Sequence, residues 1–419
     1  MSSVVSRSGS LEGPWDVVVV GAGPAGAATA LTLARSGHRV LLLEKRTGAR
    51  FPVGESIPPM AMGVLRHLLG GDPIETLGPG RVFETRGNVS YWASAAPDVM
   101  DFMFTPNGNG VVVDRSFFEA HLLEMAVTAG ARLLCPGMLT DCMSMEDGVW
   151  RLRVIRDVRK QAFVCRARVL VDATGRSAVL ARKLGARRQS TDDALFAFAQ
   201  HYEAAPKSDV DQDRDAFTRI AAAPNGWWYS NRLPGVVGQS TETRPKTRPK
   251  TRRIVVFHTD LGLSEAKQAA NVLGFRRLFQ RTCPMRDLLS RYGYTALGRV
   301  HGAAAGSQCL DRFGGSNWLA VGDAAQAYDP LSSLGLTKAM ESALHVGCVI
   351  QRGLEGDQRQ LTTSIEAYCA DQAFRWRQYR QQHDHFYDNQ PRWQDRPFWN
   401  RRGLRMESAP VSDNLKRVG

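Results

Sequence analysis

The sequence predicts an α/β fold with three parts: a domain built on a parallel sheet, an antiparallel sheet inserted into that domain, and a helical C-terminal region. Three observations predict it. Apolar runs typical of strands buried on both faces occur three times and end near Gly or Asp. Two intervening stretches mix aromatic and β-branched residues with turn residues, and the chain from residue 336 onward has helical periodicity.

The first part begins with WDVVVV at residues 15–20, a continuous apolar run that predicts a buried strand. An Ala/Leu-rich helix pattern follows, with Gly37 where a C-cap belongs, and RVLLLEK then supplies a second strand. Two later runs, RVLVDATG (168–175) and SNWLAVGDAA (316–325), have the same character. We expect all these strands to face a ligand at one edge of a parallel sheet.

The domain boundaries follow from these changes of pattern. We expect a discontinuous parallel-sheet domain that comprises residues 14–80, 111–190 and 296–350. The inserted substrate domain, which is expected to be mainly antiparallel, comprises residues 81–110 and 191–295. The C-terminal region, residues 351–419, is expected to be helical.

Composition excludes several classes of protein. The hydrophobic content of 43% and charged content of 23% are those of a soluble globular chain. Seven scattered cysteines without a CxxC pair do not suggest a disulfide framework or a metal site. The first apolar run leads into a glycine motif and not a cleavage site, so we expect a cytoplasmic protein that does not cross a membrane.

The net charge of +13 is concentrated in two segments. Residues 241–253, TETRPKTRPKTRR, hold six Lys and Arg against one Glu, and residues 374–405 hold eight Arg against three Asp. Two prolines and the lack of bulky apolar residues predict that the first segment is an exposed loop. The tail has no pattern of a nucleic-acid-binding motif, so Arg stacked on aromatic rings within a helical subdomain is expected there.

The hexapeptide GAGPAG has the spacing of a dinucleotide fingerprint, GxGxxG. It follows a strand, opens a helix, and has an acidic residue at the end of the next strand to accept ribose hydroxyls. The helix N-terminus would face the phosphates. The fingerprint predicts a Rossmann-like domain for NAD or FAD, with cofactor contacts from Gly21, Ala22, Gly23, Pro24, Ala25, Gly26, Glu44 and Lys45.

Later motifs resemble those of flavoprotein monooxygenases, which favours FAD. LAVGDAAQAYDPLSSLGLTKAMESA resembles their second FAD motif, in which the Asp binds the ribityl chain and the following helix N-terminus meets the pyrimidine edge of the flavin. DATGRS resembles their third signature, and VVVDRSFFEAHLL contains an Arg at the place of their FAD-contacting Arg. Leu334 departs from the polar residue frequent in relatives. The resemblance implies FAD contacts from Arg115, Asp172, Ala173, Gly175, Gly322, Asp323, Pro330, Gly335 and Leu336.

The electron donor is left open by the sequence. No second strand–GxGxxG–helix unit occurs, so reduced nicotinamide would visit briefly or a separate reductase would supply electrons, with molecular oxygen as cosubstrate.

Within that family the chain resembles the halogenase-like branch, through FPVGESIPP (51–59), GWWYSNRLP (226–234) and the aromatic tail. Halogenases use a lysine soon after the GE loop, whereas this chain has none between Lys45 and Lys160, and its WWYSNRLP departs from their WxWxIP. We therefore expect oxygen insertion by a flavin C4a-hydroperoxide. GESxPP, GWWYS, DPLSS and the tail together are similar to the peptidyl-tryptophan hydroxylases of quinohaemoprotein amine dehydrogenase biogenesis, which implies hydroxylation of a protein-bound tryptophan.

Three alternatives stay open. The enzyme could hydroxylate a small aromatic or carrier-bound metabolite, it could halogenate, or the chain could bind flavin without chemistry.

Two further sets of residues complete the predicted site. Glu55 is the candidate catalytic group, either taking a proton from the hydroxylated ring or holding its loop. Trp227 and Trp228 should point to opposite faces of a strand, one toward the substrate cavity and the other into the core. His383 and His385 are expected in an exposed loop.

The basic loop is predicted to be the tip of a hairpin that captures an acidic protein substrate; a solvated loop without a partner is the alternative. The residues assigned to docking are Arg244, Lys246, Arg248, Lys250, Arg252 and Arg253.

Overall fold

The computed structural model describes residues 13–48, 53–156, 161–190, 194–204, 212–235 and 250–403. Its strands are, in chain order, β1 (Pro14–Val20), β2 (Val40–Leu43), β3 (Ser56–Ile57), β4 (Val82–Thr85), β5 (Gly87–Tyr91), β6 (Asp98–Asp101), β7 (Gly110–Val113), β8 (Arg132–Leu134), β9 (Gly137–Ser144), β10 (Trp150–Arg156), β11 (Gln161–Asp172), β12 (Arg188–Ser190), β13 (Leu195–Ala204), β14 (Phe217–Ala223), β15 (Gly226–Leu233), β16 (Thr251–Asp260), β17 (Thr295–Ala304), β18 (Gln308–Leu310), β19 (Gly314–Gly315), β20 (Trp318–Ala320) and β21 (Gln326–Ala327).

The α-helices are α1 (Pro24–Arg35), α2 (Met62–Leu69), α3 (Pro73–Leu77), α4 (Arg115–Thr128), α5 (Val179–Lys183), α6 (Ser264–Ala269), α7 (Val272–Thr282), α8 (Arg286–Arg291), α9 (Gly335–Glu355), α10 (Gln358–Asp388) and α11 (Pro397–Gly403). Within the described ranges, no helix is both long and apolar enough to cross a bilayer.

The predicted parallel sheet is confirmed. Strands β20, β11, β1, β2 and β8 lie side by side in that order and all pair in parallel. β1 and β2 are buried apolar runs, as the sequence pattern requires for a sheet covered on both faces. β10 and β9 extend this sheet through antiparallel pairing with β11. The carboxyl ends of β1, β2, β11 and β20 therefore meet at one edge, where the glycine motifs lie.

The second large sheet has seven strands in the order β17-β13-β16-β15-β14-β5-β6. Its pairs are antiparallel except for β14 and β5, which are parallel. The second domain was expected to end at residue 295, but β17 begins there and belongs to this sheet, so the sheet extends to residue 304. The short strands β3, β7 and β4 form a small separate sheet that carries the GE loop.

Each face of the seven-stranded sheet packs against a different layer. On one face, Trp228 and Phe257 pack with α7 residues Phe275 and Phe279 in a closed core. The other face carries Trp227, Tyr229 and Leu233, which pack against residues of the C-terminal helices. The predicted opposition of Trp227 and Trp228 is confirmed, because neighbouring residues of β15 alternate between the two faces.

Candidate active site

The fingerprint turn depends on two glycines. Gly21 has φ +106°, and a Cβ there would collide with the carbonyl oxygen of Ala173, while a Cβ at Gly26 would collide with the carbonyl oxygen of Gly21. Because neither residue has a Cβ, the start of α1 can pack closely against the ends of β1 and β11. Gly23 is the N-cap of α1, with φ −73°, and Pro24 begins the helix. Any residue can adopt that φ, so backbone strain does not require a glycine at 23, and the fingerprint predicts that its missing side chain leaves room for the pyrophosphate.

Glu44 lies directly after β2 and is hydrogen-bonded to the fingerprint turn. One carboxylate oxygen accepts from the Ala22 amide at 3.0 Å and the other from the Arg46 amide at 2.9 Å. These two bonds hold the carboxylate beside the fingerprint turn, where it is predicted to meet the ribose hydroxyls. Lys45 is exposed beside it.

The carboxylate of Asp172 is buried and serves its own turn. One oxygen accepts from the amide of Thr174 at 2.9 Å and from its hydroxyl at 2.7 Å, and the other accepts from the amide of Ala181 at 2.7 Å. Asp172 therefore shapes the DATGRS turn, and the cofactor contacts expected of Asp172, Ala173 and Gly175 stay predictions.

The second motif lies against the fingerprint helix. Gly322 has φ +57°, and a Cβ there would lie 2.6 Å from the Cβ of Ala25, so glycine permits the close approach. Asp323 follows with its side chain 41% exposed, available to a ligand at this edge. Lys338 donates to Asp323 Oδ1 at 3.1 Å and also contacts the carbonyl oxygen of Gln326. Burial lowers the pKa of Lys338, while Asp323 opposes that shift.

The segment that leads to the predicted flavin edge is held by Asp329. This buried carboxylate caps the 3₁₀ helix Pro330–Ser332 by accepting from the amide of Leu331 at 2.8 Å. The chain then turns and enters α9 at Gly335, which is exposed, with Leu336 buried behind it.

Helix α10 supports Asp329 from the other side. The Tyr387 hydroxyl donates to Asp329 Oδ2 at 2.8 Å, the amide of Asp329 donates to the Tyr379 hydroxyl at 2.7 Å, and His383 Nε2 lies 3.4 Å from Oδ2. Burial opposes protonation of His383, but its contacts with the carboxylates of Asp329 and Asp384 outweigh this effect and raise its pKa. Burial alone would raise the pKa of Asp329, but its partners, His383 foremost, lower it.

This network corrects one prediction. His383 is buried on α10 and not exposed in a loop, because it continues the helical stripe of Tyr379 and Tyr387 that packs on the Asp329 segment. His385 lies on the same helix and is exposed, as expected, although not in a loop.

Glu55 is the perturbed carboxyl of the site. It is buried, its backbone carbonyl accepts from the Val113 amide at 3.0 Å, and its Oε2 accepts from the Tyr229 hydroxyl at 3.4 Å. Asn231 donates to the same hydroxyl at 3.3 Å. Burial raises the pKa of Glu55 from 4.5 to about 7, although Arg115 and hydrogen bonds oppose the shift. Glu55 thus joins the GE loop to the face of β15 that carries Trp227.

Arg115 holds the GE loop. Its guanidinium donates to the carbonyl oxygens of Val53 at 3.1 Å and Gly54 at 2.6 Å and pairs with Glu119 at 2.9 Å. The predicted role as an FAD contact stays a prediction; these bonds show that Arg115 also fixes the loop that positions Glu55.

An aromatic cluster covers the Trp227 face of the sheet; its members are Trp92, Trp227, Tyr387, Phe398 and Trp399. Trp227 stacks on His258 with ring centroids 3.6 Å apart, and its indole N–H donates to the Tyr387 hydroxyl at 3.0 Å. Val53 of the GE loop and Leu331 of the flavin-edge segment pack against the hydrophobic core of this face, to which the cluster belongs. Both tryptophans are buried, with exposures of 1% for Trp227 and 0% for Trp228, and the Trp227 face is the one whose core meets both loops. A substrate cavity on that face stays a prediction.

The tail arginines stack as expected. Arg402 lies 3.8 Å over the ring of Phe398 and pairs with Asp260 at 2.7 Å, and Arg392 lies 4.0 Å over Trp393. These contacts fix the C-terminal helices on the sheet.

The docking set needs a correction. Arg253 is not part of an exposed tip: it is fully buried in β16, where its guanidinium binds Asp213 at 2.9 Å and Asp215 at 2.8 Å. Arg252 is a half-buried residue of the same strand. Lys250 is exposed and pairs with Glu203 at 2.6 Å.

The other docking candidates, Arg244, Lys246 and Arg248, lie outside the described residues. β15 and β16 do pair antiparallel, as the hairpin prediction requires.

The residues at the sheet edge fit FAD. The edge has a helix N-terminus capped by glycine, an acidic side chain after β2, and a half-exposed carboxylate in the second motif. Together these are donors for a pyrophosphate and acceptors for ribose and ribityl hydroxyls. Among the residues placed by the structure there is no cluster of ligands for a metal ion.

Comparison with known families decides the class. The family described as FAD dependent oxidoreductase matches residues 16–228, just over half of the 419 residues. The chain belongs to the FAD-dependent oxidoreductases. This membership supports FAD as the dinucleotide and confirms the Rossmann-like fold.

Individual relatives of this FAD-dependent oxidoreductase differ in activity. The putative FAD-dependent oxidoreductase LodB of Marinomonas mediterranea is 27% identical over 395 residues, covering 93% of this chain and 96% of LodB. A 1H-pyrrole-2-carbonyl-[peptidyl-carrier protein] chlorinase of Pseudomonas fluorescens is 25% identical over 360 residues, covering 78% of this chain and 74% of the chlorinase.

Two solved structures share the fold. The myxobacterial chondrochloren halogenase CndH has a TM-score of 0.76 and 23% identity, covering 96% of this chain and 87% of CndH. The peptidyl tryptophan dihydroxylase QhpG, essential for tryptophylquinone cofactor biogenesis, has a TM-score of 0.61 and 23% identity, covering 94% of this chain and 80% of QhpG. At these identities the likeness shows a common fold.

Sequence reasoning gave no role to Lys338, Asp329 or Tyr387 and misplaced His383, although the structure joins all four to the segment that leads to the predicted flavin edge. The YxxxHxxxY spacing of Tyr379, His383 and Tyr387 is a signal that could have found part of this set, because residues four apart lie on one helix face. Lys338 gave no such signal, since a lysine in the first turn of a helix is ordinarily solvated.

Proposed function

We propose that this FAD-dependent oxidoreductase is a monooxygenase that hydroxylates a tryptophan side chain held in a protein, as a step in building a tryptophylquinone cofactor. The observation that carries the proposal is Glu55, a buried carboxyl group with a pKa of about 7 where the GE loop meets the Trp227 face. The absence of lysine between Lys45 and Lys160 removes the group that the resembled halogenases use.

The chemistry follows from these groups. Reduced FAD with molecular oxygen supplies an electrophilic oxygen atom. One oxygen atom enters the ring and the other leaves as water, with two electrons from reduced nicotinamide or a separate reductase. The ring carbon that gains oxygen must lose its proton to become aromatic again. We assign that proton to Glu55, because a carboxylate with a pKa near neutrality is an effective general base near neutral pH.

Other residues keep this base in place. Arg115 fixes the carbonyl oxygens of the loop, and Tyr229 donates to the Glu55 carboxylate, so the side chain has one defined position. The aromatic cluster keeps water from that side of the sheet, and a dry site strengthens the electrostatic effects within it.

Two features support a protein substrate. The fold is shared with QhpG over 94% of this chain, and the net charge of +13 would attract an acidic partner. We propose that Arg244, Lys246 and Arg248 contribute to this attraction. Together, three such charges could raise association rates by roughly tenfold or more at low salt.

A second candidate is hydroxylation of a small aromatic or carrier-bound metabolite. It is favoured by the similarity to a chlorinase whose substrate is a pyrrole on a carrier protein. The two candidates differ in whether a free aromatic compound competes with a protein-bound one.

The test uses the FAD-loaded protein with a reductase, oxygen, and two substrates in competition: an acidic tryptophan-containing protein and free tryptophan. We expect mass spectrometry to show oxygen added to the protein-bound tryptophan, and Glu55→Gln to lose this product while still consuming oxygen. Glu84→Gln, which removes an exposed carboxylate, is the matched control. Oxygen added only to free tryptophan, or equal rates for Glu55→Gln and the wild type, would refute the assignment.

A further inference from the structure

One hydroxyl group connects the two sides of the candidate active site. Tyr387 donates to Asp329 Oδ2 at 2.8 Å and accepts from Trp227 Nε1 at 3.0 Å. A phenol has one donor and can accept at the same time, so both bonds coexist. All three side chains are buried, with exposures of 4%, 1% and 1% for Tyr387, Trp227 and Asp329. Polar groups in such a place bond to each other and not to water.

Each end of this link is itself fixed. The Trp227 ring is stacked on His258 with an interplanar angle of 11°, so its N–H points in a set direction. At the other end, Asp329 caps the 3₁₀ helix that leads into α9, and Leu331 packs against the hydrophobic core that contains Trp227. A shift of the sheet at Trp227 therefore reaches the flavin-edge segment through one side chain.

We infer that Tyr387 is a positioning residue that couples strand β15 to the flavin-edge segment 329–336, so that the position of the Trp227 side chain alters the reduction potential of bound FAD. The inference rests on the predicted position of the flavin and deepens the regulation of that site. The geometry gives the direction of the effect. The Tyr387 hydroxyl withdraws negative charge from Asp329, and the N–H of Trp227 strengthens that donation by polarising the hydroxyl.

Removing the hydroxyl should therefore leave a more negative Asp329 near the reduced flavin and make FAD harder to reduce. We expect Tyr387→Phe to lower the equilibrium ratio of reduced to oxidised FAD about tenfold at a fixed potential, which is about 30 mV for a two-electron couple. Trp227→Phe should shift the ratio in the same direction by less. The double variant should shift it no further than Tyr387→Phe alone, because the link is already broken.

The matched control is Trp399→Phe. Trp399 belongs to the same cluster, but its indole N–H donates to the carbonyl oxygen of Ala223 at 3.0 Å and not to the flavin-edge segment. This variant should leave the FAD potential unchanged while losing a similar amount of packing.

The experiment measures the FAD midpoint potential of these four variants and the wild type by equilibration with a reference dye, together with amide hydrogen exchange of residues 326–335 in flavin-free protein. We expect faster exchange in Tyr387→Phe and Trp227→Phe and wild-type exchange in Trp399→Phe. If Tyr387→Phe does not fold, Trp227→Phe alone tests the link, since it leaves Tyr387 in place. A potential unchanged in both single variants, or additive shifts in the double variant, would overturn the inference. Because no substrate is needed, these results stand apart from the identity of the substrate.

Discussion

Replacing Glu55 with Gln should remove a strong pH dependence from the stability of the protein. Burial raises the pKa of Glu55 from 4.5 to about 7, so the folded protein keeps a proton that the unfolded chain releases between these pH values. Folding therefore becomes less favourable as pH rises through this range. A pKa difference of about 2.5 between the folded and unfolded states corresponds to about 3 kcal/mol in the free energy of unfolding. This stabilisation is lost as pH rises and is fully lost only above pH 7.

The assay is urea unfolding of the FAD-loaded wild type and Glu55→Gln at several pH values from 4.5 to 8.5. The other titrating groups are shared, so they cancel in the difference between the two free energies of unfolding. That difference, wild type minus variant, should fall by about 3 kcal/mol from the lowest to the highest pH. A difference that stays constant across the range would show that Glu55 is not a carboxyl perturbed by burial.

Three further predictions follow from the same structure. Gly23→Val should fold, because φ at Gly23 is −73°, but should lose FAD absorbance after gel filtration; retention of full yellow colour would contradict a pyrophosphate there. Arg253→Met should lower the free energy of unfolding by about 3–5 kcal/mol, since it leaves Asp213 buried without its partner. Lys250→Met, at an exposed ion pair, should lower it by only about 0–1 kcal/mol. Equal losses for the two variants would refute the burial argument. His383→Gln should destabilise the protein more at pH 5.5 than at pH 9, because a histidine with a raised pKa contributes its stability at low pH and loses it as pH rises; a pH-independent loss in urea unfolding would disprove the ion pair with Asp329.

Local patterns predicted the strand–turn–helix unit of the fingerprint well. The fingerprint from Gly21 to Gly26 and the acid Glu44 depend on short-range geometry, in which a strand, a tight turn and a helix follow one another in the chain. The opposed positions of Trp227 and Trp228 likewise follow from strand alternation alone.

The errors have one physical origin: partners that are far apart in sequence. Arg253 looked like the end of a charged loop because Asp213 and Asp215 lie about forty positions upstream. Arg253 lies two and four residues before Val255 and Phe257, which are buried on β16. Alternate residues of a strand share a face, so this spacing was the available signal that Arg253 points inward. His383 looked exposed because its partner Asp329 belongs to a segment that no sequence pattern places against the tail.

The position of Glu55 in the GE loop was predictable from the sequence, but its raised pKa was not. The GE loop located it, but its pKa depends on burial against β15 and on the Tyr229 hydroxyl, which only the packing of the two sheets determines.

The central claim, that this FAD-dependent oxidoreductase inserts oxygen into a protein-bound tryptophan, is tested most directly by turnover under ¹⁸O₂ with bromide present. The FAD-loaded protein, a reductase and an acidic tryptophan-containing protein are incubated together, and the tryptophan peptide is analysed by mass spectrometry. We expect this peptide to gain ¹⁸O and no bromine. A brominated peptide without ¹⁸O, or an unmodified peptide beside an oxygenated free aromatic compound, would contradict it.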